Sequence, residues 1–132
     1  MLVGAAGRNA NLLLNVGPMP NGEIQPENID TLKAVGAWTS KYGSSIFGTR
    51  GKLIEPQDWG VLTGTDQEIF IHILQQPEND YIFLPGFTTK ILHATNFDGT
   101  QKFNFRQVPE GTFVYPDYQA GSVDYVVRLA LK

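Results

Sequence analysis

The chain has 132 residues and a mass of 14.6 kDa, enough for one ordinary domain, or for a small domain joined to part of another. Hydrophobic residues make up 42% and charged residues 17%, which excludes a disordered polar chain, and a chain of this length can bury roughly 70% of its extended surface. Ten basic and thirteen acidic residues leave a formal charge of −3, so there is no basic footprint for nucleic acid or for an anionic membrane surface.

The first residues, Met1 to Arg8, carry neither a charged leader nor an apolar core of signal-peptide length. They read as loop. Asn11-Leu12-Leu13-Leu14-Asn15-Val16 is a short apolar run closed by Gly17-Pro18. It reads as a strand buried on both faces, of the kind found in parallel sheets. Gly17 to Gly22 is dense in breakers and predicts a turn region.

A helix follows with clear start signals. Pro26 suits the first helical position, and Glu27 and Asp30 in the first turn favour the helix dipole. Ile24 and Ile29 are spaced for a hydrophobic staple. Ile29, Leu32, Val35, Gly36, Trp38 and Tyr42 fall on one half of the helical wheel. Gly43 is placed to supply a left-handed C-terminal cap. Strand, loop and helix in this order make a βα unit.

From Trp59 the apolar period drops to two. Strands are predicted near 60–64, 68–75, 81–84, 89–97, 100–107, 112–115 and 122–131. Asp98-Gly99 signals a hairpin that pairs Phe97 with Thr100. That register puts Leu92, Ala94, Phe103 and Phe105 on one face, opposite Ile91, His93, Thr95, Lys102, Asn104 and Arg106. The last strand alternates Val123, Tyr125, Val127, Leu129 and Leu131 against Asp124, Val126, Arg128 and Ala130. Ile69 to Leu74 is apolar on both faces except for His72, which predicts a central strand. The expected fold is mainly β: an antiparallel β-sandwich preceded by a βα fragment. The expected division is residues 1–52 and residues 53–132.

The residues offer little self-contained chemistry. Cysteine is absent, so thiol nucleophiles, disulfides and thiolate metal sites are excluded. No apolar run nears the roughly 20 residues of a membrane span. Two histidines are too few for most metal sites without cysteine, and neither a metal nor another cofactor is expected. His93 reads as a surface residue and His72 as a buried, hydrogen-bonded packing residue. Gly43 to Thr49 has phosphate-loop glycine spacing, but Thr49 stands where lysine is required and the run follows a helix instead of preceding one. Glu27 and Asp30 are one turn apart on the polar helix face, as a solvated helix start would be. Among the rings, Phe87, Tyr115 and Tyr118 lie near loops and could form a sugar-stacking platform, whereas Phe70, Phe103, Phe105, Phe113 and Tyr125 follow strand-core periodicity. A carbohydrate-binding or structural sandwich module is therefore a competing expectation.

Asn11 to Pro18, then Gly22-Glu23-Ile24-Gln25-Pro26 and the helix to Gly43, resemble the end of the catalytic domain of the α-L-fucosidases of glycoside hydrolase family 29. Ser45 to Gly51 resembles the exit segment of that domain, with Lys52 where a further glycine is expected. Trp59 to Thr63, Ile69 to Ile73 and Ile82 to Gly86 resemble pieces of the family's C-terminal sandwich. The resemblance implies a larger parent with a (β/α)8-like barrel that hydrolyses terminal α-L-fucose with retention. It implies a fucosylated glycan as substrate, the barrel as packing partner, and a secreted, periplasmic or lysosomal parent. The family's catalytic carboxylates match no position here, and a barrel needs about 250 residues. No catalytic residue is therefore assigned, and the chain alone is expected to be inactive. Barrel sites lie at the C-terminal ends of strands, which makes Asn15, Gly17 and Pro18 possible neighbours of the parent's site. Without barrel partners, the apolar faces of residues 11–16 and 29–42 would favour self-association as a dimer, disorder near residues 1–20, or docking of the helix on the sandwich.

Overall fold

A computed structural model describes all of residues 1–132. Two helices, α1 (Leu2–Gly7) and α2 (Pro26–Tyr42), are followed by a 3₁₀ turn at Gly43–Ser45. Seven strands then run as β1 (Gly60–Gly64), β2 (Glu68–Ile73), β3 (Ile82–Pro85), β4 (Ile91–Asn96), β5 (Lys102–Val108), β6 (Gly111–Tyr115) and β7 (Tyr125–Leu131). All seven expected strands form, within two or three residues at most ends. Neither helix is long and apolar enough to cross a membrane.

The strands form one antiparallel sheet in the order β1-β2-β7-β4-β5-β6-β3. It curls so that its two ends face each other. Ile69, Ile71 and Ile73 of β2 share one core with Ile82 and Leu84 of β3, at the opposite edge. The result is a sandwich, with β1, β2, β7 and β4 in one layer and β5, β6 and β3 in the other. β2 lies between β1 and β7, so both of its edges are paired, and all its residues after Glu68 are buried. Val127 and Leu129 point into the same core from β7. The other face of β2 carries Phe70 and His72, also buried, beneath the N-terminal segment.

The hairpin between β4 and β5 has the expected register, because Ala94 pairs with Phe103 and Thr95 with Lys102. Gly99, at φ +79°, donates its N–H to the Asn96 carbonyl at 3.1 Å and closes the turn. The face assignment fails at one end of β4. A bulge between Ile91 and His93 breaks strict alternation, so Ile91 turns into the core and Leu92 turns out. Val123, expected to lie inside the last strand, precedes it and is exposed.

Three expectations for the first 52 residues need correction. Residues 11–16 form no strand; they are irregular, and all but Val16 are exposed, Leu12 and Leu14 only in part. A strand needs a neighbour for its N–H and C=O groups, and this segment finds none within the chain. Residues 2–7, expected to be loop, form α1. Its two glycines obscured the helix but permit close packing: a Cβ on Gly7 would overlap Val61 of β1. Gly43 is right-handed, at φ −55°, and extends α2 into the 3₁₀ turn. What requires glycine there is space, because an added Cβ would lie 2.8 Å from the Phe47 ring.

Candidate functional site

The N-terminal segment meets the sheet through a chain of buried polar groups. α2 ends in the tight turn Gly43–Ser45, where Ser45 Oγ donates to the Tyr42 carbonyl at 2.6 Å. The Ser45 carbonyl in turn accepts a hydrogen bond from Thr63 Oγ1 of β1. Thr63 Oγ1 lies 2.9 Å from His72 Nε2 on β2, and His72 Nδ1 lies 2.9 Å from Asp124 Oδ2, just before β7. Ser45, Thr63 and His72 are wholly buried. The single hydroxyl proton of Thr63 goes to a carbonyl, so His72 Nε2 must donate to Thr63. A further proton lies between Nδ1 and Oδ2. Each buried group of the pair thus has a hydrogen-bond partner, which makes its burial tolerable.

Carboxylate, imidazole and hydroxyl in line have the order of a nucleophilic triad. The environment removes that role. Thr63 has no exposed surface, and its hydroxyl is already committed to Ser45. A nucleophile must be reachable by its substrate. These groups instead clamp the exit of α2 to β1, β2 and β7.

Beside the clamp lies a polar cleft of about 360 Å³ between the end of α2, the β4–β5 hairpin and the segment before β7. Lys41, Tyr42, Asp98, Gln119, Asp124 and Tyr125 are among its walls. Tyr42 packs edge-on against Phe97 at 4.9 Å, which docks the tip of the helix on the hairpin. Hydrogen bonds from Thr100 hold the Asp98 carboxyl below its ordinary range. Burial pushes the Tyr125 phenol up, and the carboxylates of Asp117 and Asp98 add to the shift. The Tyr42 side chain raises Lys41, and Asp98 contributes weakly in the same direction. The second buried oxygen of Asp124, Oδ1, has no hydrogen-bond partner in the chain.

Asn15, Gly17 and Pro18 lie outside this region. All three are exposed on the loop before α2. Pro18 bridges Ile24, and Met19 N–H donates to the Glu23 carbonyl at 2.8 Å, so the loop folds back on itself. Several acidic residues have partners of other kinds: Glu68 binds Arg128, Asp98 binds Thr100, and Asp117 accepts from Gln101. No cluster of three metal-ligating side chains is present. His93 is exposed and His72 buried, as expected. Of the rings proposed as a platform, Phe87 is buried and Tyr118 packs on the core beside Tyr125; Tyr115 alone is exposed. Phe113, expected in the core, faces outward on β6.

Sequence reasoning missed Asp124 as the partner of His72. Strand alternation does place Asp124 on the face of Val126, and Val126 pairs with His72. The signal becomes readable only once the β2–β7 pairing is known.

The chain is thus an antiparallel sandwich clamped to a loop-helix segment whose apolar face has no partner within the chain. Residues 1–44 match the Alpha-L-fucosidase family model. A search of the curated proteins finds no match. Among solved structures, alpha-L-fucosidase isoenzyme 1 from Paenibacillus thiaminolyticus is 29% identical, with a TM-score of 0.83 over 99% of this chain and 33% of that chain. Thermotoga maritima alpha-fucosidase, in complex with a mechanism-based inhibitor, is 25% identical, with a TM-score of 0.78 over 99% and 33%. A GH29 alpha-L-fucosidase from Bacteroides thetaiotaomicron, trapped as a covalent intermediate, shares the fold at 23% identity and a TM-score of 0.85 over 99% and 31%. The chain thus spans about a third of the length of these relatives. The family match rests on residues 1–44, and the fold of the whole chain is that of a part of these fucosidases.

Proposed function

We propose that this chain closes and supports the catalytic barrel of an enzyme that releases terminal α-L-fucose from fucosylated glycans with retention. In this reading residues 1–52 are the last piece of the barrel and residues 53–132 are the supporting sandwich. The two carboxyl groups that retaining hydrolysis requires, one nucleophile and one acid/base about 5–5.5 Å apart, belong to earlier barrel strands. The residues of this chain do structural work. Leu12 to Leu14 supply a strand to the barrel sheet, and α2 covers the sheet from outside. Asn15, Gly17 and Pro18 then stand at the rim of the parent's site.

The observation that carries the reading is the state of α2. This 17-residue helix has no buried residue, and Ile29 and Leu32 remain 37% exposed. Leu13 is 92% exposed in the preceding segment. Apolar faces of this kind require a partner, and they lie within the residues that match the fucosidase family model. The shielded indole N–H of Trp38 on the same helix has no acceptor in the chain.

The test is hydrolysis of an aryl α-L-fucoside. The pure chain is expected to give no turnover, and turnover is expected when a barrel lacking its own C-terminal part is added. Turnover by the chain alone, or none with any compatible barrel, would overturn the reading.

A further inference from the structure

The outer face of the β5-β6-β3 layer carries an ordered array that the barrel-supporting role does not use. Strand register sets it out in two rows. Phe83, Phe113 and Arg106 are directly paired across the three strands. In the next row Tyr115 pairs with Asn104 of β5, and Tyr81 stands beside it, with ring centroids 6.2 Å apart. Phe83 and Phe113 lie 4.6 Å apart, and Tyr81 and Phe113 lie 5.5 Å apart. The Arg106 guanidinium sits 5.0 Å above the Phe113 ring. Each row therefore ends in an exposed side chain with N–H donors, and all four rings are at least partly open to solvent.

Two further observations select the occupant. Arg106 and Lys102, two rows further along the same face of β5, are exposed and form no ion pair; the salt bridges of the chain are His72–Asp124 and Arg128–Glu68. Arg106 also has no hydrogen-bond partner, so stacking on Phe113 presents a fork of free donors beside an aromatic floor. The N-terminal segment lies on the other layer, where Gly7 packs on Val61 and Ser45 on Thr63. A barrel built on residues 1–44 would approach from that side.

We propose that this face is a binding site for an acidic glycan. The C–H faces of its sugar rings would rest on Tyr81, Phe83 and Tyr115, with one carboxylate or sulfate on Arg106 and a second, further along the chain of sugars, on Lys102. The proposal rests on the residues of this face alone, so it stands or falls independently of the barrel reading.

The test is titration of the full isotope-labelled chain by NMR with three probes: a galacturonic acid trimer, a sulfated galactose trimer and a neutral galactose trimer. Shifts are expected at Phe83, Arg106, Phe113 and Tyr115 with one or both acidic probes, and at least tenfold weaker binding with the neutral one. Which acidic probe binds separates carboxylate from sulfate recognition. Arg106→Gln is expected to weaken binding at least tenfold, and added salt should weaken it in the parent chain. Tyr115→Ala should do the same as Arg106→Gln; if that variant fails to fold, Tyr115→Leu keeps the apolar bulk without the ring. Equal binding of the neutral trimer, no effect of Arg106→Gln, no binding of either acidic probe, or shifts confined to the cleft beside Lys41 would each overturn the proposal. Concentration-dependent broadening of these rings without glycan would assign the face to a second copy of the chain and would also overturn it.

Discussion

His72 and Asp124 are 52 residues apart in the chain and 2.9 Å apart in the fold, buried together and hydrogen-bonded. Their contact joins β2 to the entry of β7, and through Thr63 and Ser45 it fixes the end of α2. The two substitutions at Asp124 should separate. Asp124→Ala removes one partner of a buried pair and should cost about 3–5 kcal/mol in urea unfolding. Asp124→Asn can donate its amide N–H to Nδ1 of a neutral ring that still donates from Nε2. It should cost about 1 kcal/mol or less, as loss of a neutral hydrogen bond does. Equal losses would show that the pair is not held in the way described.

Thr63→Val keeps the volume of the side chain but removes the hydroxyl between Ser45 and His72. It leaves a buried carbonyl and a buried N–H without partners, at a cost of about 1–3 kcal/mol. If α2 is anchored by this chain of groups, amide exchange should also accelerate at residues 43–47. A variant as stable and as protected as the parent would contradict that anchoring.

Lys52 sits at φ +57°, in the left-handed region, with its N–H bonded to the Gly7 carbonyl at 2.8 Å. The glycine expected there from the family resemblance has a conformational reason. Lys52→Gly should raise stability by about 0.5–1 kcal/mol, the relief of the left-handed penalty less the entropy lost by glycine. Thermal unfolding measures it, and a lower midpoint would contradict this account of Lys52.

Alkaline titration should find Tyr125 ionising above pH 10, because burial disfavours its phenolate in the folded state. The sign follows from proton binding. Above pH 10 the unfolded chain releases this proton more readily, so stability falls as pH rises through that range. Tyr125→Phe should remove the latest component of the phenolate absorbance. At the acid end, Asp98 is held low by Thr100, so its contribution is present above about pH 4 and is lost as pH falls below that.

Much of this fold was legible in the residues. Alternation along β2 and β7, and the turn at Asp98-Gly99, specified strands and register because each side chain has a partner inside the chain. The βα segment was misread where its partners are missing: Leu12 to Leu14 have the composition of a buried strand but no sheet to join. The bulge at Leu92 carries no composition signal, since Ile91 and Leu92 suit the core equally. The Asp124 contact depends on which strands become neighbours, and one sequence does not state that. The outward ring face was hidden for a related reason. Strand alternation separates two faces but does not say which one meets the other layer, so Phe113 was assigned to the wrong side.

The central claim is that residues 11–16 and α2 are surfaces of a barrel. Hydrogen exchange measures it directly. In the chain alone, amides 11–16 should exchange at nearly unprotected rates, while β2 and β7 exchange slowly. Adding a family 29 barrel that lacks its own C-terminal part should slow residues 11–16 and the apolar side of α2 by at least tenfold, and Leu32→Lys should abolish that slowing without destabilising the sandwich. Slow exchange at residues 11–16 without a barrel, or unchanged exchange in its presence, would contradict the claim.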